Sequence, residues 1–152
     1  MTVTGLDRLR LKLTRRIPDT VKKRVRDAME QSANEVVETM KSLVAVDSGE
    51  LRDSIAWTWG DAPKGALVLA RSSKRSSDSM RITIYAGGGG AFYARFVEFG
   101  TQPHINKGLY AGSHNPGAPA QPFFFPGWRL VKRRVKGRVT RNIRKAIKEA
   151  VA

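Results

Sequence analysis

One hundred and fifty-two residues suffice for one domain with its own core, and 28 Lys and Arg against 13 Asp and Glu leave a formal net charge of +15. At 41% hydrophobic, with six Phe, three Trp and three Tyr, the chain is too apolar for a disordered basic tail, so a folded cationic protein is expected. The absence of cysteine rules out disulfides, thiolate nucleophiles and cysteine-held zinc or iron–sulfur centres; the longest aliphatic run, Ala66 to Ala70, is far short of the ~20 residues of a membrane span.

The N-terminus has no signal-peptide core. A soluble protein retained by the cell that makes it, with no membrane partner, is therefore expected. Leu6, Leu9, Leu11 and Leu13 mix helical and alternating spacing, and the segment up to Ile17 is read as a short helix. After Pro18, apolar residues from Val21 to Val44 recur at three and four, predicting a helix from about 19 to about 46, roughly 40 Å long at 1.5 Å per residue. Turn formers Asp47 to Glu50 close it.

Strands are predicted at about 54–59, 66–71 and 80–85, with Ser72 to Ser79 as a flexible hairpin tip. Gly87 to Gly90 interrupt the chain before a short aromatic helix, Ala91 to Phe99, capped by Gly100. Residues 101–122, rich in glycine, proline and asparagine, read as a loop. Both this loop, at Thr101 to Pro119, and the hairpin tip lack a periodic apolar face and are expected to be the least ordered parts. A last helix is predicted from about 127, opened by Pro126, to about 150. No repeat or domain boundary is visible, so a single domain over 1–152 is expected.

No residues stand in a catalytic arrangement. His104 and His114 lie ten apart in the loop without carboxylates beside them, so neither metal nor cofactor is expected. Gly87 to Gly90 lack the Gly-Lys-Ser/Thr of a phosphate cradle and read as a tight turn. Glu98 interrupts the aromatics Phe92, Tyr93, Phe96 and Phe99, where a buried charge without a partner is costly. Arg95 or Thr101 is the expected partner, and the expected role is to hold the following turn. Phe123 to Phe125, between Pro122 and Pro126, read as core anchors at a segment junction.

The last helix carries Val131, Val135, Val139, Ile143, Ile147 and Val151, all spaced by four. Each step of four advances 40° past a full turn, so the stripe winds around the helix and one flat neighbour cannot bury it. A second subunit is the simplest source of the missing surface. From residue 129 onward ten basic residues face the single acid Glu149, and Lys132, Arg133, Arg134 and Lys136 lie off the stripe, available to a polyanion or an acidic protein.

Three segments together suggest a family. Ser48-Gly49-Glu50-Leu51-Arg52-Asp53-Ser54-Ile55, Tyr93-Ala94-Arg95-Phe96-Val97-Glu98-Phe99-Gly100-Thr101 and Ala120-Gln121-Pro122-Phe123-Phe124-Phe125-Pro126 occur in that order, between a long helix and a basic one. The ordered set resembles the tail-component proteins of long-tailed bacteriophages and prophages, whose roles are neck, head–tail joining or tail completion. The inserted loop Ile105 to Pro119 and the very basic ends depart from that pattern. The resemblance implies a structural protein, not an enzyme, with an α+β fold in which a small curved antiparallel sheet packs against the long helix, beside a short aromatic helix and the basic C-terminal helix. It further implies a homo-oligomeric ring, a hexamer, in the virion neck, assembled in the host cytoplasm with neck and tail proteins as partners and DNA passing through it. The rival is a nucleic-acid-binding module that uses the C-terminal Lys/Arg helix.

Overall fold

In a computed structural model of the chain, residues 17–45, 47–69 and 81–151 are described. The fold is α+β. Helix α1 spans Ile17–Leu43, the one-turn helix α2 Glu50–Asp53, strands β1 Ala56–Trp59, β2 Leu67–Val68 and β3 Ile82–Ala86, helix α3 Ala94–Phe99, strands β4 His104–Ile105 and β5 His114–Asn115, and helix α4 Phe124–Val151. The expected helix before Ile17 and the hairpin tip Ser72 to Ser79 lie outside the described residues.

Helix α1 ends three residues short of the expected boundary. The Ser42 hydroxyl donates to the Thr39 carbonyl at 2.7 Å, offering that acceptor a local partner in the last turn. Glu50, expected as the end of the turn Asp47 to Glu50, winds with Leu51 to Asp53 into α2 because Gly49 takes φ +87 and its carbonyl accepts from Asp53 N–H at 2.9 Å. Ser54 is consumed as the end of α2, so β1 starts two residues later than its alternating pattern suggests.

The sheet is antiparallel with order β1-β3-β2, so the last strand in sequence is the central one. Ala56 pairs with Tyr85 and Trp59 with Ile82 on one side, and Leu67 pairs with Ala86 on the other. Trp57 and Trp59 meet edge to face at 6.2 Å, and the Trp57 indole N–H donates to Asn34 Oδ1 at 2.7 Å.

Residues 101–119 are not a structureless loop. His104–Ile105 pairs with His114–Asn115, and Asn106 N–H donates to the Ser113 carbonyl at 2.9 Å. Asn106 Nδ2 also donates to Ser113 Oγ, at 2.9 Å. This is an arm held by short-range polar bonds, which is why a search for apolar periodicity passes over it.

Two compact units divide the chain. In the first, 1–33 with 132–152, the buried side chains include Val25, Ala28, Ser32, Ala33 and Ala146. There Arg24 pairs with Glu149 and Arg138 Nη1 donates to Ser32 Oγ at 3.3 Å, so these stretches of α1 and α4 run antiparallel. In the second, 34–131, the core is built from Val36, Val37 and Met40 of α1, Leu51, Ile55, Leu67 and Ala86, and the fully buried Phe123 and Phe124.

Two glycines of α4 make a stability test with opposite signs. A Cβ on Gly127 would stand 2.7 Å from Met40 Cγ and 3.2 Å from Met40 Cα, whereas one on Gly137 would meet the flexible end of Arg141 at 3.1 Å. Gly127→Val is expected to cost about 1–3 kcal/mol by overpacking. Gly137→Ala is expected to add about 0.5–1 kcal/mol through helix propensity. Urea denaturation of the two variants checks this, and equal signs would contradict it.

Candidate functional site

The three sequence motifs converge within residues 34–131. In the first, Ser54 Oγ donates to the Leu51 carbonyl at 2.6 Å and accepts from Gly87 N–H at 3.0 Å, tying α2 to the glycine run that leads into α3. Leu51 and Ile55 are buried beside it. In the second, Gly100 takes φ +71, and a Cβ there would lie 2.8 Å from the Ala118 carbonyl oxygen and the Ala120 nitrogen. Only glycine suits both the backbone and the space. Thr101 and Ala118 exchange backbone bonds of 2.9 and 3.2 Å, closing the base of the arm. Ala118 N–H also reaches Thr101 Oγ1, at 2.9 Å. In the third, Gln121 N–H donates to the Val97 carbonyl at 2.8 Å and sets Phe123 into the core. Pro122 is exposed. Gly49, Leu51, Tyr93, Val97 and Gln121, drawn from all three motifs, line one groove of about 310 Å³.

Glu98 joins the second motif to the third, with partners other than the expected Arg95 or Thr101. Only 3% exposed, its Oε2 accepts from Phe123 and Phe124 N–H at 2.8 Å each, and Oε1 accepts from Phe125 N–H at 3.1 Å. These are among the first, otherwise unpaired donors of α4. The next residue, Pro126, has no N–H to satisfy, and Gly127 N–H makes a helical bond to the Phe123 carbonyl at 3.1 Å. Thus α4 starts at Phe124, three residues before the expected boundary, because a carboxylate 25 residues upstream supplies its cap. The positive end of the helix dipole favours that charge as well.

The aromatic stretch turns its phenylalanines outward. Ala91, Ala94 and Glu98, spaced by three and four, form the buried face, while Phe92, Phe96 and Phe99 stand exposed on the other. The Phe99 ring meets the Phe125 ring at 5.9 Å. Reading the stretch as a 3.6-residue helix with an alanine face would have revealed this. On the arm, Ile105, Leu109 and Tyr110 are also exposed.

Along α4 the stripe of fours does not meet a single surface. Val131 is buried, Val135, Val139 and Ile143 are half-buried and Ile147 is exposed. Ala146, three past Ile143, is fully buried instead, because a step of three reverses the drift that fours accumulate. Lys132, Arg133, Arg134 and Lys136 are all exposed. His104 and His114 lie exposed on the arm. Among the described residues no helix is long and apolar enough to cross a membrane.

No curated protein and no solved structure matches the chain significantly. A family model described as "Bacteriophage HK97-gp10, putative tail-component" matches residues 7–100, well over half of the sequence and inclusive of the α2 motif and the buried Glu98. With motifs and family model in agreement, the chain belongs to the HK97-gp10-like family of bacteriophage tail components.

Proposed function

We propose that the protein is a structural, non-catalytic subunit of the phage neck that assembles into a closed homo-oligomeric ring, a hexamer, at the head–tail junction, where it completes the tail or connects it to the head. The family match carries this reading. The geometry supports it. The three motifs are spent on internal architecture, with Ser54, Glu98 and Gly100 fixing the chain's own turns and helix start. The large apolar side chains of α3 and the arm face outward, as subunit contacts require. Assembly takes place in the bacterial cytoplasm, with neighbouring neck and tail proteins as partners and DNA passing through the ring. A single domain over 1–152 is the folding unit in this proposal, the two compact units sharing α1 and α4.

Sedimentation or native mass measurement at rising concentration is expected to show a species six times the 16.8 kDa chain, about 100 kDa. A monodisperse monomer at high concentration, with neck partners present as well, would overturn the ring. The exposed Lys132, Arg133, Arg134 and Lys136 favour a second reading, a nucleic-acid-binding module.

A further inference from the structure

We infer that a straight stripe on the outer face of α4 docks an acidic helical segment of another tail protein. The inference rests on the neck reading above and gives one neighbour its chemistry.

Within the unit formed by 1–33 and 132–152, residues 132–148 of α4 carry nine cations and no acid. The first acid beyond them, Glu149, is held by Arg24 of α1. Arg133, Lys136, Thr140, Arg144 and Ile147 are all exposed, and they follow one another by steps of three, four, four and three. A step of three turns back 60° where a step of four advances 40°, so the five stay within about 80° of one another over about 21 Å of helix. The valine stripe, built from fours alone, winds around α4; this one runs along it.

A straight row of side chains at three and four is the surface along which a second helix packs. Charge requires that helix to be acidic, with carboxylates opposite Arg133, Lys136 and Arg144. Ile147, 49% exposed, and the short Thr140 stand in the same row, where a protein partner can pack against them. A nucleic-acid duplex gains nothing from either. Its phosphates attract cations wherever they face, and Arg141, Lys145 and Lys148, exposed and turned about 80–140° from the middle of the stripe, would serve it equally. A second copy is poorly suited, because it brings the same net charge of +15. Membership of a tail-component family supplies neighbours of other sequence.

The experiment uses the full chain with Thr140→p-benzoylphenylalanine as a photo-crosslinker, produced in infected cells in place of the wild type. After irradiation of purified particles, mass spectrometry is expected to find the crosslink on a peptide of a different tail protein whose Asp and Glu recur at three and four. Two triple variants with equal change of charge are then compared in the same background, each checked for an unchanged unfolding midpoint. Arg133→Glu, Lys136→Glu and Arg144→Glu together are expected to lower the crosslinked product in infected-cell lysates about tenfold or more, and Arg141→Glu, Lys145→Glu and Lys148→Glu together by less than about threefold. Wild-type particles that lack the chain altogether would overturn the neck reading itself. Particles that contain it, but with a crosslink to DNA, to a second copy or to a segment without such acids, with no crosslink at all, or with equal losses in the two triple variants, would overturn the acidic helix on the stripe alone.

Discussion

Glu98→Ala is expected to lower the stability of the fold by about 3–5 kcal/mol, the cost typical of leaving buried, charge-assisted partners unmet. The carboxylate accepts three backbone N–H groups at the start of α4, and two of those groups are buried. Its removal orphans all three and opens a void beside Phe123 and Phe124, which are fully buried. Glu98→Gln keeps the volume but offers one carbonyl oxygen and points an NH₂ at a remaining donor, so it recovers only part of the loss. Glu38→Ala, exposed on α1, serves as the control and is expected to stay within about 0.5 kcal/mol. Urea denaturation followed by circular dichroism measures all three. An unchanged midpoint for Glu98→Ala would show that the α4 cap is dispensable.

Replacing Lys132, Arg133, Arg134 and Lys136 together with glutamine is expected to leave the fold within about 1 kcal/mol of wild type, because all four are exposed on α4. Joining of heads to tails is nevertheless expected to fall steeply. If each charge contributes about 0.5–1 kcal/mol to a contact with acidic neck subunits, four contribute about 2–4 kcal/mol, or roughly 30- to 1,000-fold in association. Isolated wild-type protein is then expected to bind DNA weakly and without sequence preference. The nucleic-acid reading requires something else. Neutralising six or more phosphates would make affinity drop about a thousandfold or more between 50 and 200 mM salt. Titration of a duplex at both salt concentrations, beside a complementation assay for infectious particles, separates the two. Particles assembled at the normal rate by a variant that has lost tight DNA binding would favour the nucleic-acid module.

Periodicity along the chain is enough to read α1, α4 and the α+β class. Apolar residues at three and four commit a segment to a helix with one buried face, and Trp57 and Trp59 on alternating positions commit theirs to a strand. Family membership is legible too, because Gly49, Glu98 and Gly100 stand at set places in three ordered motifs. Element ends are a different matter. Ser42 bonding back to Thr39, Ser54 closing α2 and Glu98 capping α4 each move a boundary by two or three residues. The partner of Glu98 and the outward turn of Phe92, Phe96 and Phe99 are settled only by tertiary structure. A carboxylate seeks whichever unsatisfied donors the fold brings near, and here these come from a helix start 25 residues away, which no local spacing encodes. Burying that one charge with its cap assigns the inner face of α3 to Ala94 and Glu98, and the same rotation of the helix turns Phe96 and Phe99 to the surface.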